Sequence, residues 1–145
     1  MNFEWDLLVR TFIPLLVAFA LAFPVGWERG AGRSSVGFRT LPVVAMASCG
    51  FALLARDLEG SDAESMTRLL QGLMGGIGFI GGGAILKQNG SVKGLVTAAS
   101  IWNVAAIGVA VAYGRIEIAV TLSVLNLAVL ILLTPLGEKV ADEER

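Results

Sequence analysis

Two stretches of the chain hold residue types whose spacing could do chemistry. From Gly72 to Leu86 the sequence reads GLMGGIGFIGGGAIL, and Gly76-Ile77-Gly78-Phe79-Ile80-Gly81 within it spells G-x-G-x-x-G, the pattern of a dinucleotide-binding turn. From Gly26 to Thr40 it reads GWERGAGRSSVGFRT, with Glu28 among Arg29, Arg33 and Arg39. The first would cradle a pyrophosphate on backbone amides; the second would form ion pairs or offer a charged recognition surface. A nucleotide turn must follow a strand, open a helix and be answered about 20 residues later by an acid for the ribose. No Asp or Glu lies between Glu64 and Glu117, and Ser61-Asp62-Ala63-Glu64 is a capping box that starts a helix at Asp62, before the glycines. No Gly-Lys-Ser/Thr follows either, which removes a Walker loop. The chain has no histidine and one cysteine, Cys49, so imidazole chemistry and an intrachain disulfide are excluded. With no nucleophile–base pair and no metal-ligand spacing, neither an enzyme nor a cofactor is expected.

The elements that must position these residues are read from composition. Of 145 residues 55% are hydrophobic and only 16% charged, with a mean hydropathy of +0.75. The net charge of −1 gives no electrostatic case for nucleic acid. Charges fall into clusters separated by nearly charge-free runs: Leu7 or Thr11 to Trp27, Thr40–Ala55, Leu69–Leu86, Leu95–Tyr113 and Ile116–Leu136. Roughly 20 helical residues cross a hydrocarbon core, so the second run needs its flanks to reach both interfaces. Sustained period-2 alternation is absent, which argues against strands, and Asn89-Gly90 marks a tight turn. Glu4 and Asp6 stand where a signal peptide has basic residues, so the first run is read as a retained helix. The expected fold is all-α: a polytopic bundle of about five transmembrane helices over residues 1–137, with a glycine-rich central helix and a short charged tail at 138–145. Lys and Arg on alternate loops divide seven against four once Lys139 and Arg145 are included, which predicts the N-terminus outside and the C-terminus in the cytoplasm.

Inside a bilayer, glycine lets helix backbones approach. Gly72 and Gly76 form one small-xxx-small pair and Gly78 and Gly82 another, while Gly75, Gly81 and Gly83 extend the small surface around the helix. That helix is expected to touch several neighbours or a second subunit; alternatively, its glycines let it break and expose carbonyls to a ligand. Intramembrane ionisable groups are almost absent, leaving Gln71, Thr97, Ser100, Asn103, Thr121, Ser123 and Asn126. Asn103 and Asn126 are expected to hydrogen-bond between helices, and Trp102 to be buried near mid-helix. Mg²⁺ prefers carboxylate oxygens and retained waters, so no high-affinity metal site is expected at mid-membrane.

Four motifs occur in order: Gly26-Trp-Glu28-Arg29; Gly37-Phe-Arg39-Thr40; Gly76-Ile-Gly78-Phe79-Ile-Gly81-Gly82-Gly83; and Gly94-Leu-Val-Thr97-Ala-Ala followed by Trp102. Over about residues 10–135 this arrangement resembles the MgtC/SapB family of membrane proteins. The resemblance implies a five-helix protein of the bacterial inner membrane, linked to growth at low Mg²⁺ and, in some members, to survival inside host cells. It implies action on protein partners, including ATP synthase and Mg²⁺ import machinery; some members are named as transporters. The residues it marks are Glu28, Arg29, Arg39, Thr40, Gly76, Gly78, Phe79, Gly81, Gly83, Gly94, Thr97 and Trp102. Many members carry Glu after E-R and His after G-L-R-T, where this chain has Gly30 and Leu41, so roles resting on that acid or imidazole do not carry over. Longer members add a soluble C-terminal domain, which the nine residues GEKVADEER are expected to be too short to form. Two functions are expected from these readings: a regulatory membrane protein, dimeric or of higher order, or a small cation or solute transporter with Glu28 at its inner mouth.

Overall fold

A computed structural model describes residues 5–30, 36–59, 63–88 and 91–143. The element order is α1 (Trp5–Gly30), α2 (Val36–Glu59), α3 (Ala63–Gly83), β1 (Leu86–Gln88), β2 (Ser91–Lys93), α4 (Leu95–Ala112) and α5 (Ile116–Glu143). This is the expected all-α bundle of a polytopic membrane protein. Apolar runs become helices because a segment in hydrocarbon must satisfy every backbone polar group internally. The second run lengthens at both ends, as its shortness required, and α1 runs unbroken past Pro14 and Pro24.

Two boundaries differ from expectation, one of them in the fifth helix, which runs on to Glu143 instead of stopping at Leu136, so that the expected tail begins as helix. The third helix ends at Gly83 rather than Leu86, and the chain then forms a small antiparallel hairpin pairing Leu86 with Lys93, Lys87 with Val92 and Gln88 with Ser91. Three residues per strand are too few for a periodic signal, which is why the alternation test missed it. The predicted turn at Asn89-Gly90 and the capping residues Ser61 and Asp62 lie outside the described residues.

Four described helices, α1, α2, α4 and α5, are long and apolar enough to cross a membrane. The exception, α3, is long enough but dilutes its hydropathy with glycines, Arg68 and Gln71. The bundle is centred on α4, which packs against all four other helices. Ile101, Val104, Ala105 and Ile107 of α4 are wholly or almost wholly buried. The expectation that the glycine-rich helix is central is therefore corrected for the single chain: α3 lies on the flank, and a Cβ added at Gly72, Gly75, Gly76, Gly78, Gly82 or Gly83 would meet nothing within 4 Å. The small residues that bring helices together lie elsewhere. Ala18, Ala22 and Gly26 form the buried ridge of α1, Ala45, Cys49 and Ala52 that of α2, and Ala105, Gly108 and Ala112 that of α4.

Candidate functional site

Three helix ends meet at one end of the bundle. Arg29, in the last turn of α1, sends its Nη2 to donate a hydrogen bond of 2.8 Å to Thr97 Oγ1 in the first turn of α4. The two residues are 68 apart in sequence, and Thr97 is buried. A cationic side chain at a helix C-terminus also complements the macrodipole there.

The local sequence makes this contact reachable. A Cβ at Gly37 would lie 2.5 Å from Arg29 Cβ, and one at Gly30 would lie 2.8 Å from Phe38 Cβ. Side chains at either position would push α2 off the end of α1. The glycines thus lock the G-W-E-R and G-F-R-T segments together around Arg29. Gly94 serves the third end: it precedes α4 with φ +89, and a Cβ there would come within 2.0 Å of the Ala84 carbonyl oxygen. Only a residue without a side chain lets α4 start that close to the end of α3.

Around this junction Glu28 and Arg39 are exposed and Thr40 is half-buried. The expected ion pairing of Glu28 with the neighbouring guanidiniums does not occur among the described residues; Arg33 lies outside them. Phe23, Trp27 and Phe38 stack beside the junction with ring centroids 5.4–6.0 Å apart. The other end of the bundle has its own contacts. Arg56 Nη1 donates to the Ala112 carbonyl at 2.8 Å, capping α4, and Arg68–Glu64 and Arg115–Glu117 form exposed ion pairs.

The remaining predicted residues are dispersed. Gly81 is the one α3 glycine at which an added Cβ would touch another helix, 3.7 Å from the Ala98 carbonyl oxygen. Gly78 and Gly82 line the same shallow recess beside α4. Trp102 is 43% exposed there, not buried as expected, because the glycines opposite leave it uncovered. Phe79, at 85% exposure, points outward. The alternative in which α3 breaks is not seen, since the helix is continuous from Ala63 to Gly83. Asn103 Oδ1, Asn126 Nδ2 and Ser100 Oγ are buried atoms without a hydrogen-bond partner among the described residues. The interhelical bond made at that depth comes instead from Ser123, whose Oγ donates to the Leu21 carbonyl at 2.6 Å. Among the described residues no group of three or more His, Cys, Asp or Glu converges.

Fold and junction together define a multi-pass helical membrane protein in which Glu28, Arg29, Arg39, Thr40 and Thr97 lie at helix ends. The MgtC family model matches residues 15–139, and the chain belongs to that family. It is 37% identical over 132 residues to Protein MgtC of Brucella abortus, covering 91% of this chain and 55% of that protein. It is 36% identical over 112 residues to Protein SrpB of Synechococcus elongatus, covering 69% of this chain and 62% of that one. YhiD of Escherichia coli, whose name provisionally assigns it magnesium transport, is 36% identical over 124 residues, covering 81% of this chain and 58% of that protein. The chain thus spans little more than half the length of these relatives. No solved structure matches it.

Proposed function

We propose that this chain serves Mg²⁺ homeostasis and growth at low Mg²⁺ in a bacterial inner membrane by acting on other membrane proteins, rather than by carrying the ion. The observation that supports this reading is the junction itself. Arg29 is held on Thr97 by interlocked glycines, with Glu28 and Arg39 exposed beside it, so the charged motif residues form a surface at one end of the bundle. No carboxylate lies between Glu64 and Glu117, the stretch that contains the glycine motif and the central helix, whereas Mg²⁺ sites are built on carboxylate oxygens. The distribution of basic residues supports a junction on the cytoplasmic side, where partners such as ATP synthase or Mg²⁺ import proteins would meet it. The chain works as a homodimer or larger homo-oligomer. Gly75, Gly78 and Gly82 recur at i, i+3 and i+7 on α3 with open space above them, a surface that admits a second backbone closely.

Two experiments test this. Gly78→Leu is expected to reduce cross-linked dimer in membranes and low-Mg²⁺ growth together; unchanged cross-linking and growth count against the oligomeric reading. The runner-up, a small cation or solute transporter, draws on the name of YhiD and on the unpartnered polar atoms of Ser100, Asn103 and Asn126 at mid-helix. Purified protein in liposomes is expected to give no Glu28-dependent Mg²⁺ flux. Flux that Glu28→Gln abolishes would replace the regulatory reading with the transporter.

A further inference from the structure

A groove of about 550 Å³ opens along the bundle between α2 and α3. Its walls are apolar, among them Val44, Phe51 and Leu69, with the buried Ser48 also lining it. It exists because Gly72 and Gly76 bring no side chains to it. Arg68 stands at the end near the start of α3, and Ile80 at the other. Twelve residues separate Arg68 from Ile80, a rise of about 18 Å in an α-helix. One leaflet of a hydrocarbon core is about 15 Å deep, half of the ~30 Å total. The groove therefore starts at a cation near one interface and runs about as far as the middle of the bilayer.

We propose that this groove is a binding site for one phospholipid, its acyl chain lying along Gly72 and Gly76 and its phosphate on the Arg68 guanidinium. An apolar trough facing hydrocarbon forfeits dispersion contacts unless it is filled, and a lipid tail fills it without bringing a polar group to its walls. The guanidinium presents a fork of donors that matches phosphate oxygens. Arg68 is also paired with Glu64 one turn earlier, but both side chains are more than 70% exposed. An exposed i,i+4 pair is weak, so it leaves the guanidinium able to take a phosphate. A lipid bearing net negative charge is favoured over a zwitterionic one, whose own ammonium competes for the phosphate.

Native mass spectrometry of the full chain, purified in detergent and titrated with phosphatidylglycerol or phosphatidylethanolamine, tests the site. The unmodified protein is expected to retain one phosphatidylglycerol in preference to phosphatidylethanolamine. Arg68→Gln leaves the apolar walls intact, and it is expected to lower the phosphatidylglycerol preference about tenfold, the scale of losing a charge-assisted hydrogen bond. Gly76→Leu fills the trough and is expected to lose retained lipid of both kinds, while far-UV circular dichroism reports that the helices persist. Retention equal in all three proteins would overturn the proposal. So would a groove occupied by a second copy, seen as dimer lost in Gly76→Leu with lipid retention unchanged. The oligomeric reading rests on the Gly75–Gly78–Gly82 stripe, so Gly78→Leu is expected to leave lipid retention as it is.

Discussion

Arg29 and Thr97 lie far apart in the chain, yet each depends on the other. Thr97 is buried at the start of α4, and the Arg29 guanidinium supplies its 2.8 Å partner. Replacing Thr97 with Val keeps the shape and removes the acceptor, leaving a guanidinium donor facing a methyl group. Thermal unfolding in detergent is expected to show a loss of about 1.5–3 kcal/mol, as for hydrogen bonds to charged groups, with Thr97→Ser recovering most of it. At Gly94 the constraint is backbone geometry. With φ at +89 and Ala84 O at 2.0 Å from a built Cβ, Gly94→Ala is expected to cost about 1–3 kcal/mol, read by the same melts. The motif pattern marked both residues; what it did not reveal was that Arg29 bonds Thr97 rather than Glu28.

Helices in lipid are held by close approach, so the consequence of adding a methyl group depends on the helix that receives it. A Cβ on Gly108 would meet the Ala45 carbonyl at 2.1 Å and the Cys49 nitrogen at 2.9 Å, so α2 and α4 touch backbone to backbone there. Gly108→Ala is expected to prise them apart and destabilise the fold by about 1–3 kcal/mol. Gly75 on α3 has open space, and alanine is the better helix former by about 1 kcal/mol. Gly75→Ala is therefore expected to leave the monomer's melting temperature unchanged or slightly raised. Comparing the two variants in one detergent checks the assignment of α4, not α3, as the packing centre. Glycine density pointed to α3; the ridges of α1 and α2 are mostly alanine, and small residues spaced three or four apart are the signal that could have located them.

At the scale of the molecule, one centred bundle with a flanking helix leaves Cys49 fully enclosed between α2 and its neighbours. Folded protein in mild detergent is expected to resist a bulky maleimide and to label at Cys49 only after denaturation. Labelling of the folded form at the denatured rate would show that α2 and α4 are not packed as described. In a Cys49→Ser background, cysteine placed at the outward-pointing position of Phe79 is expected to label freely in the monomer and to be protected, or to form an intermolecular disulfide, in the dimer.

The sequence by itself determined the class of protein, the approximate extent of the apolar runs and the location of the charged motif residues. Those properties are local: helix formation in hydrocarbon depends on segment length and apolarity, and charges stop at segment edges because burying them in lipid is costly. Which helix sits in the middle was decided only by the tertiary structure. In water a half-buried helix announces its inner face by hydrophobic periodicity, but in lipid both faces are apolar, and α4 is uncharged, with only Thr97, Ser100 and Asn103 polar. What separates inside from outside is then the fit of small residues against a particular neighbour, as at Gly108 against Ala45 or Gly37 against Arg29, and that pairing is non-local. For the same reason seven glycines in α3 could be read from the chain, while the open space beside six of them could not.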